Sequence, residues 1–203
     1  MEGKFKAALF DLDGTLLDTE PQYTEFWSAV GRRYRPDLSD FNSRIKGTTL
    51  TQIYDLYIAE EYREEITAQL DAWEQQMHYA FMPGAEEYIT RLHQGSVKTA
   101  LVTSSNNKKM RQVRRALPRF DSLFDAVLTS EDFARSKPFP DCYLKAAEVL
   151  RVQPCDCIVF EDAFSGLQAA REAGMFVVGL ATTNPREAIL DKCDCIIKNF
   201  TEL

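Results

Sequence analysis

Short apolar runs alternate with segments of helical periodicity along most of this chain. Such runs, when bounded by polar or turn-forming residues, are typical of buried strands. They lie at residues 7–10, 98–103, 126–129, 157–160, 175–180 and 196–197. Because strands that alternate with helices usually pair in parallel, the pattern predicts an α/β fold with a mostly parallel sheet.

One long segment interrupts this alternation. Its apolar residues follow the i, i+3, i+4, i+7 and i+8 spacing of an amphipathic helix. They are Leu50, Ile53, Tyr54, Tyr57 and Ile58. No strand pattern occurs between residues 18 and 81, and a Met-Pro-Gly sequence at 82–84 then breaks the helical pattern. We therefore predict an α/β core formed by residues 1–17 and 82–203, with an inserted all-helical unit at residues 18–81.

The composition narrows the class of function. With 203 residues, 45% of them hydrophobic, the chain can bury a core of its own. A formal net charge of −7 argues against a nucleic-acid-binding protein, which needs a basic surface. No apolar run approaches the length of a membrane span, and charged residues interrupt the start of the chain, unlike a signal peptide. We expect a cytoplasmic monomer with no nucleic-acid or membrane partner.

Two further patterns are interpreted as structural. The five cysteines include two Cys-x-Cys pairs, at 155–157 and 193–195, whose spacing is tighter than that of most zinc ligands. We interpret each pair as alternate residues on one face of a strand. A basic run that includes Lys108 and Lys109 predicts a solvated helix face.

Chemically active side chains follow three predicted strands at the point where each strand ends. They are Asp11 and Asp13 after the first strand, Thr103, Ser104 and Ser105 after the second, and Glu161 and Asp162 after the fourth. Each group taken alone is also typical of an ordinary turn or a helix N-cap. Because the carboxyl ends of parallel strands meet at one edge of a sheet, we expect these side chains to lie together. Mg²⁺ with a phosphorylated ligand would relieve the repulsion among the acids, and Lys137, in a loop with two prolines, could neutralise the phosphate.

Together these residues resemble the haloacid dehalogenase superfamily, in its branch of phosphatases and phosphoglucomutase-like enzymes with a helical cap. The four matching motifs are Asp11-Leu-Asp13-Gly14-Thr15, Val102-Thr103-Ser104, Lys137-Pro-Phe-Pro-Asp, and Val159-Phe-Glu161-Asp162-Ala-Phe-Ser-Gly166. They span the chain in the family's order. The resemblance implies a Rossmann-like core with a cap, inserted where this branch carries one.

The resemblance also implies roles for the core residues. Asp11 would be the nucleophile that forms an aspartyl phosphate, and Asp13 would be the general acid and then the general base. Thr103 and the backbone after it, at Ser104 and Ser105, would bind the phosphoryl oxygens, while Lys137 would offset their charge. The family's dehalogenases lack the second aspartate, so its presence favours phosphoryl transfer.

Metal binding is implied in the same way. Family members bind Mg²⁺ through the first aspartate, the backbone carbonyl of the second, and a later aspartate. Here these are Asp11, Asp13 and Asp162, with Glu161 supporting the metal. The expected cofactor is therefore Mg²⁺, and the expected ligand is a small phosphorylated metabolite of the sugar-phosphate kind.

Cap residues bear on the choice between phosphatase and mutase. Phosphoglucomutase-like members have a cap-hinge histidine where this chain has Tyr23, and a cap lysine–glycine pair that matches Lys46-Gly47. Their cap arginine, which holds a distal phosphate, is replaced by Leu50. We predict a phosphatase with Tyr23, Lys46 and Gly47 near the substrate. The alternatives are a hexose-phosphate mutase and a non-catalytic phosphate-binding protein on the same fold.

Overall fold

A computed structural model describes residues 5–203, so the first four residues of the predicted core lie outside the described residues. In the described part of the chain, six strands form one sheet in which all neighbours are parallel. In chain order they are β1 (Ala7–Phe10), β2 (Lys98–Val102), β3 (Ala126–Leu128), β4 (Cys157–Glu161), β5 (Phe176–Leu180) and β6 (Cys195–Ile197). The predicted α/β fold is confirmed, and each strand lies within two residues of its predicted bounds.

Helices connect and cover these strands. Within the described residues they are α1 (Glu20–Tyr34), α2 (Phe41–Ile45), α3 (Leu50–Tyr57), α4 (Glu60–Gln76), α5 (Ala85–Gln94), α6 (Asn107–Ala116), α7 (Asp141–Leu150), α8 (Phe164–Glu172) and α9 (Arg186–Ile189). Short 3₁₀ turns lie at Phe120–Leu123, Pro154–Asp156 and Phe200–Glu202. The sequence did not predict α2, because five residues are too few to establish a helical period.

The strand order explains where a ligand can bind. The order is β3–β2–β1–β4–β5–β6, so the chain runs outward from β1 to β3 and then returns to the other side of β1 with β4. Leu9 of β1 is therefore in register with Ala100 on one side and Val159 on the other. Ligands of open α/β sheets bind at such a reversal, beyond the carboxyl ends of the strands. Asp11 is the first residue beyond β1 at this point.

Both faces of the sheet are buried. Successive residues of a strand point to opposite faces, so Phe10 and Leu9 belong to different parts of the core. Phe10 stacks on Phe160 with ring centroids 4.8 Å apart, and Tyr88 of α5 packs edge-on against both. The opposite face packs against α7 and α8. Burial on both faces is the reason that the strands appear in the sequence as continuous apolar runs.

Helices α1 to α4 form a helical cap with its own hydrophobic cluster. Phe26 and Trp27 of α1 meet edge to face at 5.1 Å, and they pack with Ile53, Ile66 and Leu70. The aromatic residues of this segment thus form mainly the core of the cap. No helix in residues 5–203 combines the length and the apolar character needed to cross a membrane.

The prediction for the cysteine pairs is wrong. Cys155 lies exposed in the 3₁₀ turn before β4, and Cys193 precedes β6, so only the second cysteine of each pair belongs to a strand. A 3₁₀ turn places side chains three residues apart on one side, and the alternation of a strand does not apply there. All five cysteines are free thiols.

Candidate functional site

Lys137 connects the carboxyl ends of three adjacent strands. Its ammonium donates to Asp11 Oδ1 at 2.5 Å, to Glu161 Oε1 at 2.6 Å and to the Val102 carbonyl at 3.2 Å. Lys137 is 1% exposed and Asp11 is 8% exposed. Burial alone lowers the pKa of Lys137, but Asp11 and Glu161 outweigh it and hold that pKa above its ordinary value. Lys137 therefore stays charged beside Asp11.

Three buried acids lie close enough to share a cation. Asp11, Glu161 and Asp162 each offer a carboxylate oxygen, and these oxygens lie within 4.8 Å of one another. The oxygens of Glu161 already accept from Lys137, from the Tyr143 hydroxyl at 2.8 Å, and from two backbone amides. The structure places Asp11 and Asp162 close together, as the sequence predicts, and Glu161 lies beside them.

Asp162 has one oxygen that the protein leaves without an ordinary hydrogen bond. Its Oδ1 accepts from the Thr15 hydroxyl at 2.7 Å, whereas Oδ2 is buried and makes no hydrogen bond of ordinary geometry among the described residues, although the buried Thr183 hydroxyl lies nearby. A side chain at Gly14 would place Cβ 2.3 Å from this Oδ2, so the glycine keeps the space beside it free. Buried polar atoms normally have partners, and an orphaned carboxylate oxygen in an all-oxygen group fits a hard cation such as Mg²⁺.

The pKa values of the buried acids are also consistent with a bound cation. Burial, opposed by Lys137, raises the pKa of Asp11 to about 8. Burial and the neighbouring charges of Glu161 and Asp11 raise the pKa of Asp162 well above its ordinary value. One ammonium does not balance three buried carboxylates, and a divalent cation would supply the missing positive charge.

Asp13 is held by three donors. Thr19 Oγ1 donates to Asp13 Oδ1 at 2.5 Å, Ser105 Oγ donates to Oδ2 at 3.0 Å, and the ammonium of Lys109 also binds Oδ2. The prediction that Lys109 lies on a solvated face is wrong, since it is 3% exposed. Helix α6 begins underneath the cap, so the cap covers Lys109 while neighbouring Lys108 is about half exposed.

Residues 103–105 form the turn after β2. Thr103 is 1% exposed, and its oxygen accepts from the Ser105 amide at 3.0 Å, which leaves the hydroxyl hydrogen free for another acceptor. The Ser104 hydroxyl donates to the Gly47 carbonyl of the cap at 3.2 Å. Residues 103–105 do not cap α6. The N-cap of that helix is Asn106, whose side chain accepts from the Lys109 amide.

Gly47 of the cap lies directly against the core. Its φ of +72° is in the left-handed region that favours glycine, and an added Cβ would lie 2.4 Å from Ser165 Oγ. The Ser165 hydroxyl donates to the Gly47 carbonyl at 3.1 Å, in addition to the bond from Ser104. Lys46 forms an ion pair with Glu20 at 2.9 Å.

Other residues of the site carry no motif in the sequence. Gln52 completes the capping box of α3 with Thr49, and its amide nitrogen donates to the Lys137 carbonyl at 3.1 Å. Asn184, just before α9, donates to the Asp162 carbonyl at 2.9 Å. The N-cap position of α9 is taken by Pro185. Such contacts depend on the tertiary fold.

A cavity of about 740 Å³ lies between the cap and the core. Its core lining includes Asp11, Asp13 and Thr103, and its cap lining includes the predicted residues Tyr23, Lys46 and Gly47. Below the cavity, the buried Lys137 donates to Asp11. The buried acids Glu161 and Asp162 lie next to Asp11. The arrangement can hold a small ligand against Asp11 between the cap and the core.

A Lys137→Met variant is expected to lower the free energy of unfolding by about 3 to 5 kcal/mol, because it leaves two buried carboxylates without their cation. Urea unfolding followed by circular dichroism measures this change. The control is Lys145→Met, which removes an exposed ion pair with Glu148 and should cost less than about 1 kcal/mol. Equal losses in the two variants would contradict the role given to Lys137.

Comparison with known proteins is consistent with this arrangement. The family described as haloacid dehalogenase-like hydrolase matches residues 8–180. A validoxylamine A 7'-phosphate phosphatase from Streptomyces hygroscopicus subsp. limoneus is 33% identical, over 98% of this chain and 96% of its own length. A beta-phosphoglucomutase from Bacillus subtilis is 29% identical, over 89% and 85%.

A solved structure gives the same result for the fold. The HAD hydrolase of family IA, variant 3, from Entamoeba histolytica is 27% identical and superposes with a TM-score of 0.82, over 98% of this chain and 95% of the other. The resemblance identified from the four motifs is confirmed, and so is the predicted enzyme class, phosphoric monoester hydrolase.

Proposed function

Because the chain belongs to the haloacid dehalogenase-like hydrolase family, we propose that it is a Mg²⁺-dependent phosphatase of a small phosphorylated metabolite, of the sugar-phosphate kind. The observation that carries this proposal is the surroundings of Asp11. A carboxylate in the cavity between cap and core lies beside one fixed ammonium and beside Asp162, whose buried Oδ2 makes no hydrogen bond of ordinary geometry among the described residues. This combination suits a nucleophile that works on a phosphate next to a cation.

The first half of the reaction forms the covalent intermediate. A carboxylate oxygen of Asp11 attacks phosphorus, the bond from phosphorus to the ester oxygen breaks, and Asp13 gives its proton to that leaving oxygen. The Thr103 hydroxyl and the Lys137 ammonium stabilise the charge on the phosphoryl oxygens. The products of this step are the free alcohol and an aspartyl phosphate.

The second half restores the enzyme. Asp13, now ionised, takes a proton from a water molecule that attacks phosphorus, and the bond between phosphorus and the Asp11 oxygen breaks to release inorganic phosphate. Mg²⁺, held by the side chains of Asp11 and Asp162 and the carbonyl of Asp13, would neutralise charge on the phosphoryl group in both halves. Glu161 completes the acidic group and fixes Lys137.

The cavity supports a small polar substrate. Its volume of about 740 Å³ suits a metabolite, and it lies within the range of ordinary small-molecule sites. The relatives act, by their names, on validoxylamine A 7'-phosphate and on phosphoglucose. We therefore propose a phosphorylated sugar or a closely related polyol as the substrate class.

A hexose-phosphate mutase is the second candidate, and the likeness to the Bacillus subtilis enzyme favours it. A mutase has to hold a second phosphate at the far side of the cavity. Two cations of the cavity lining, Lys46 and Lys108, are each paired with a cap carboxylate, and Leu50 also lies in the lining. Conversion of beta-glucose 1-phosphate to the 6-phosphate faster than its hydrolysis would establish the mutase.

The test of the phosphatase is a panel of phosphorylated metabolites incubated with the enzyme and Mg²⁺, scored for inorganic phosphate and for isomerised product together. We expect phosphate release that stops when EDTA removes the metal and returns when Mg²⁺ is added again. Turnover of no member of a broad panel would instead favour a non-catalytic phosphate-binding protein on this fold.

A further inference from the structure

The β5 loop, residues 181–185 between β5 and α9, binds two segments that the proposed metal site uses. The Thr182 hydroxyl donates to the Gly14 carbonyl at 2.5 Å, and the Asn184 side-chain amide donates to the Asp162 carbonyl at 2.9 Å. Gly14 lies in the turn after β1, whereas Asp162 follows β4. The β5 loop therefore fixes the backbones of two separate segments relative to each other, although it contains none of the four motifs.

Thr183, between these two residues, has a hydroxyl oxygen that is buried and makes no hydrogen bond of ordinary geometry among the described residues. A side chain at Gly14 would place Cβ 2.6 Å from this oxygen and 2.3 Å from Asp162 Oδ2, so both atoms border the same small space. Buried polar atoms normally have hydrogen-bond partners. A hydroxyl and a carboxylate oxygen that both lack one thus face a space that Gly14 leaves open.

A hydroxyl beside this space can support Asp162 in two ways. Burial, together with neighbouring carboxylates, raises the pKa of Asp162, and the Thr183 hydroxyl opposes that rise, which favours the ionised form that a cation needs. The hydroxyl oxygen can also accept a hydrogen bond from a water, and Mg²⁺ in proteins usually keeps several waters. Because Thr15 already donates to Oδ1, each oxygen of the carboxylate has a threonine hydroxyl beside it.

We propose that Thr183 is a positioning residue for Asp162 in the metal site, and that Thr182 and Asn184 hold it in place. The inference rests on the proposed function, in which the side chain of Asp162 binds Mg²⁺. It extends the site to a loop that contains no carboxylate, and it makes the affinity for the metal depend on the Thr183 hydroxyl.

The experiment compares two substitutions at this position. Thr183→Val replaces the hydroxyl by a methyl group of similar size, whereas Thr183→Ser keeps the hydroxyl and removes the methyl group. Isothermal titration of the metal-free proteins with Mg²⁺ alone should show a Kd that is about 10-fold higher in Thr183→Val, the usual effect of removing a partner of a metal ligand. In Thr183→Ser the Kd should stay within about 3-fold of the wild-type value.

Urea unfolding of the metal-free proteins separates this role from general support of the fold. Since the Thr183 hydroxyl is buried without an ordinary hydrogen bond, its removal in Thr183→Val should leave the free energy of unfolding unchanged or slightly raised. The matched control is Thr90→Val, which makes the same chemical change at an exposed hydroxyl bonded to the Glu86 carbonyl of α5. It should leave the affinity for Mg²⁺ unchanged.

Three results would overturn the inference. They are an unchanged Kd in Thr183→Val, an equal loss of affinity in Thr183→Ser, and a loss of affinity in Thr183→Val that is matched by a fall in the free energy of unfolding. Wild-type protein that binds no Mg²⁺ would contradict the proposed function and this inference together. That failure is distinguishable from the other three, in which the wild-type protein binds Mg²⁺ and only the variants decide.

Discussion

Asp11→Asn is expected to abolish phosphate release, with kcat reduced by at least about 10⁴-fold. An amide nitrogen or oxygen cannot form the acyl phosphate, whereas the variant keeps the size of the side chain and an oxygen for the bond to Lys137. Phosphate release with Mg²⁺ measures the loss. Mass spectrometry of acid-quenched wild-type enzyme during turnover should show one added phosphoryl group, which the variant lacks.

The control for this variant is Asp191→Asn, which makes the same chemical change at an exposed aspartate. It should retain wild-type turnover. Phosphate release by Asp11→Asn at more than a tenth of the wild-type rate would remove Asp11 from the role of nucleophile.

The same variant also tests the cost of burying Asp11. Its pKa is raised to about 8 in the folded protein, so proton binding favours the folded state. The free energy of unfolding of the metal-free wild type should therefore fall between pH 4 and pH 8, by up to about 1.4 kcal/mol per pH unit from this group. Asp11→Asn should show a shallower fall in urea unfolding at several pH values. An identical slope in both proteins would show that the buried charge is compensated without a metal.

Asp13→Asn carries the second largest expected effect. Turnover should fall by about 10²- to 10⁴-fold, the usual contribution of a positioned acid or base. Mg²⁺ binding should be retained, because the proposal assigns the backbone carbonyl of Asp13 to the metal and its side chain to proton transfer. Isothermal titration with Mg²⁺ separates the two effects, and Asp162→Asn serves as the variant that should lose the metal.

Two results would change this assignment. Undiminished turnover in Asp13→Asn would remove Asp13 from acid–base chemistry. Loss of Mg²⁺ binding equal to that of Asp162→Asn would make its side chain a metal ligand.

The sheet could be predicted from the sequence because its strands are buried on both faces. Each strand is then a continuous apolar run, bounded by polar turns that fix its ends within two residues. The order of strands in the sheet is not contained in those runs, since it depends on which neighbours pair. Helix α2 and the positions of the cysteine pairs were missed or misassigned, because a short helix and a 3₁₀ turn lack a readable period.

Some residues of the candidate site could likewise be predicted from the sequence, and others could not. Asp11, Asp162 and Lys137 lie close together because they follow strand ends or a loop at one edge of the sheet, and this placement follows from topology. Lys109 could not be distinguished from Lys108 by sequence, because both belong to one basic run on one helix. Only the placement of the cap over α6 buries one of them and exposes the other.

The two serine hydroxyls on the Gly47 carbonyl have a kinetic consequence. We expect release of the proposed alcohol product to break both bonds, from Ser104 and Ser165, as the four-helix cap moves away from the core. Motion of that size is slowed by friction with the solvent, whereas bond chemistry at Asp11 is not. Added sucrose should therefore slow the wild-type enzyme on a good substrate in proportion to viscosity, and should scarcely affect a variant whose chemistry has become slow.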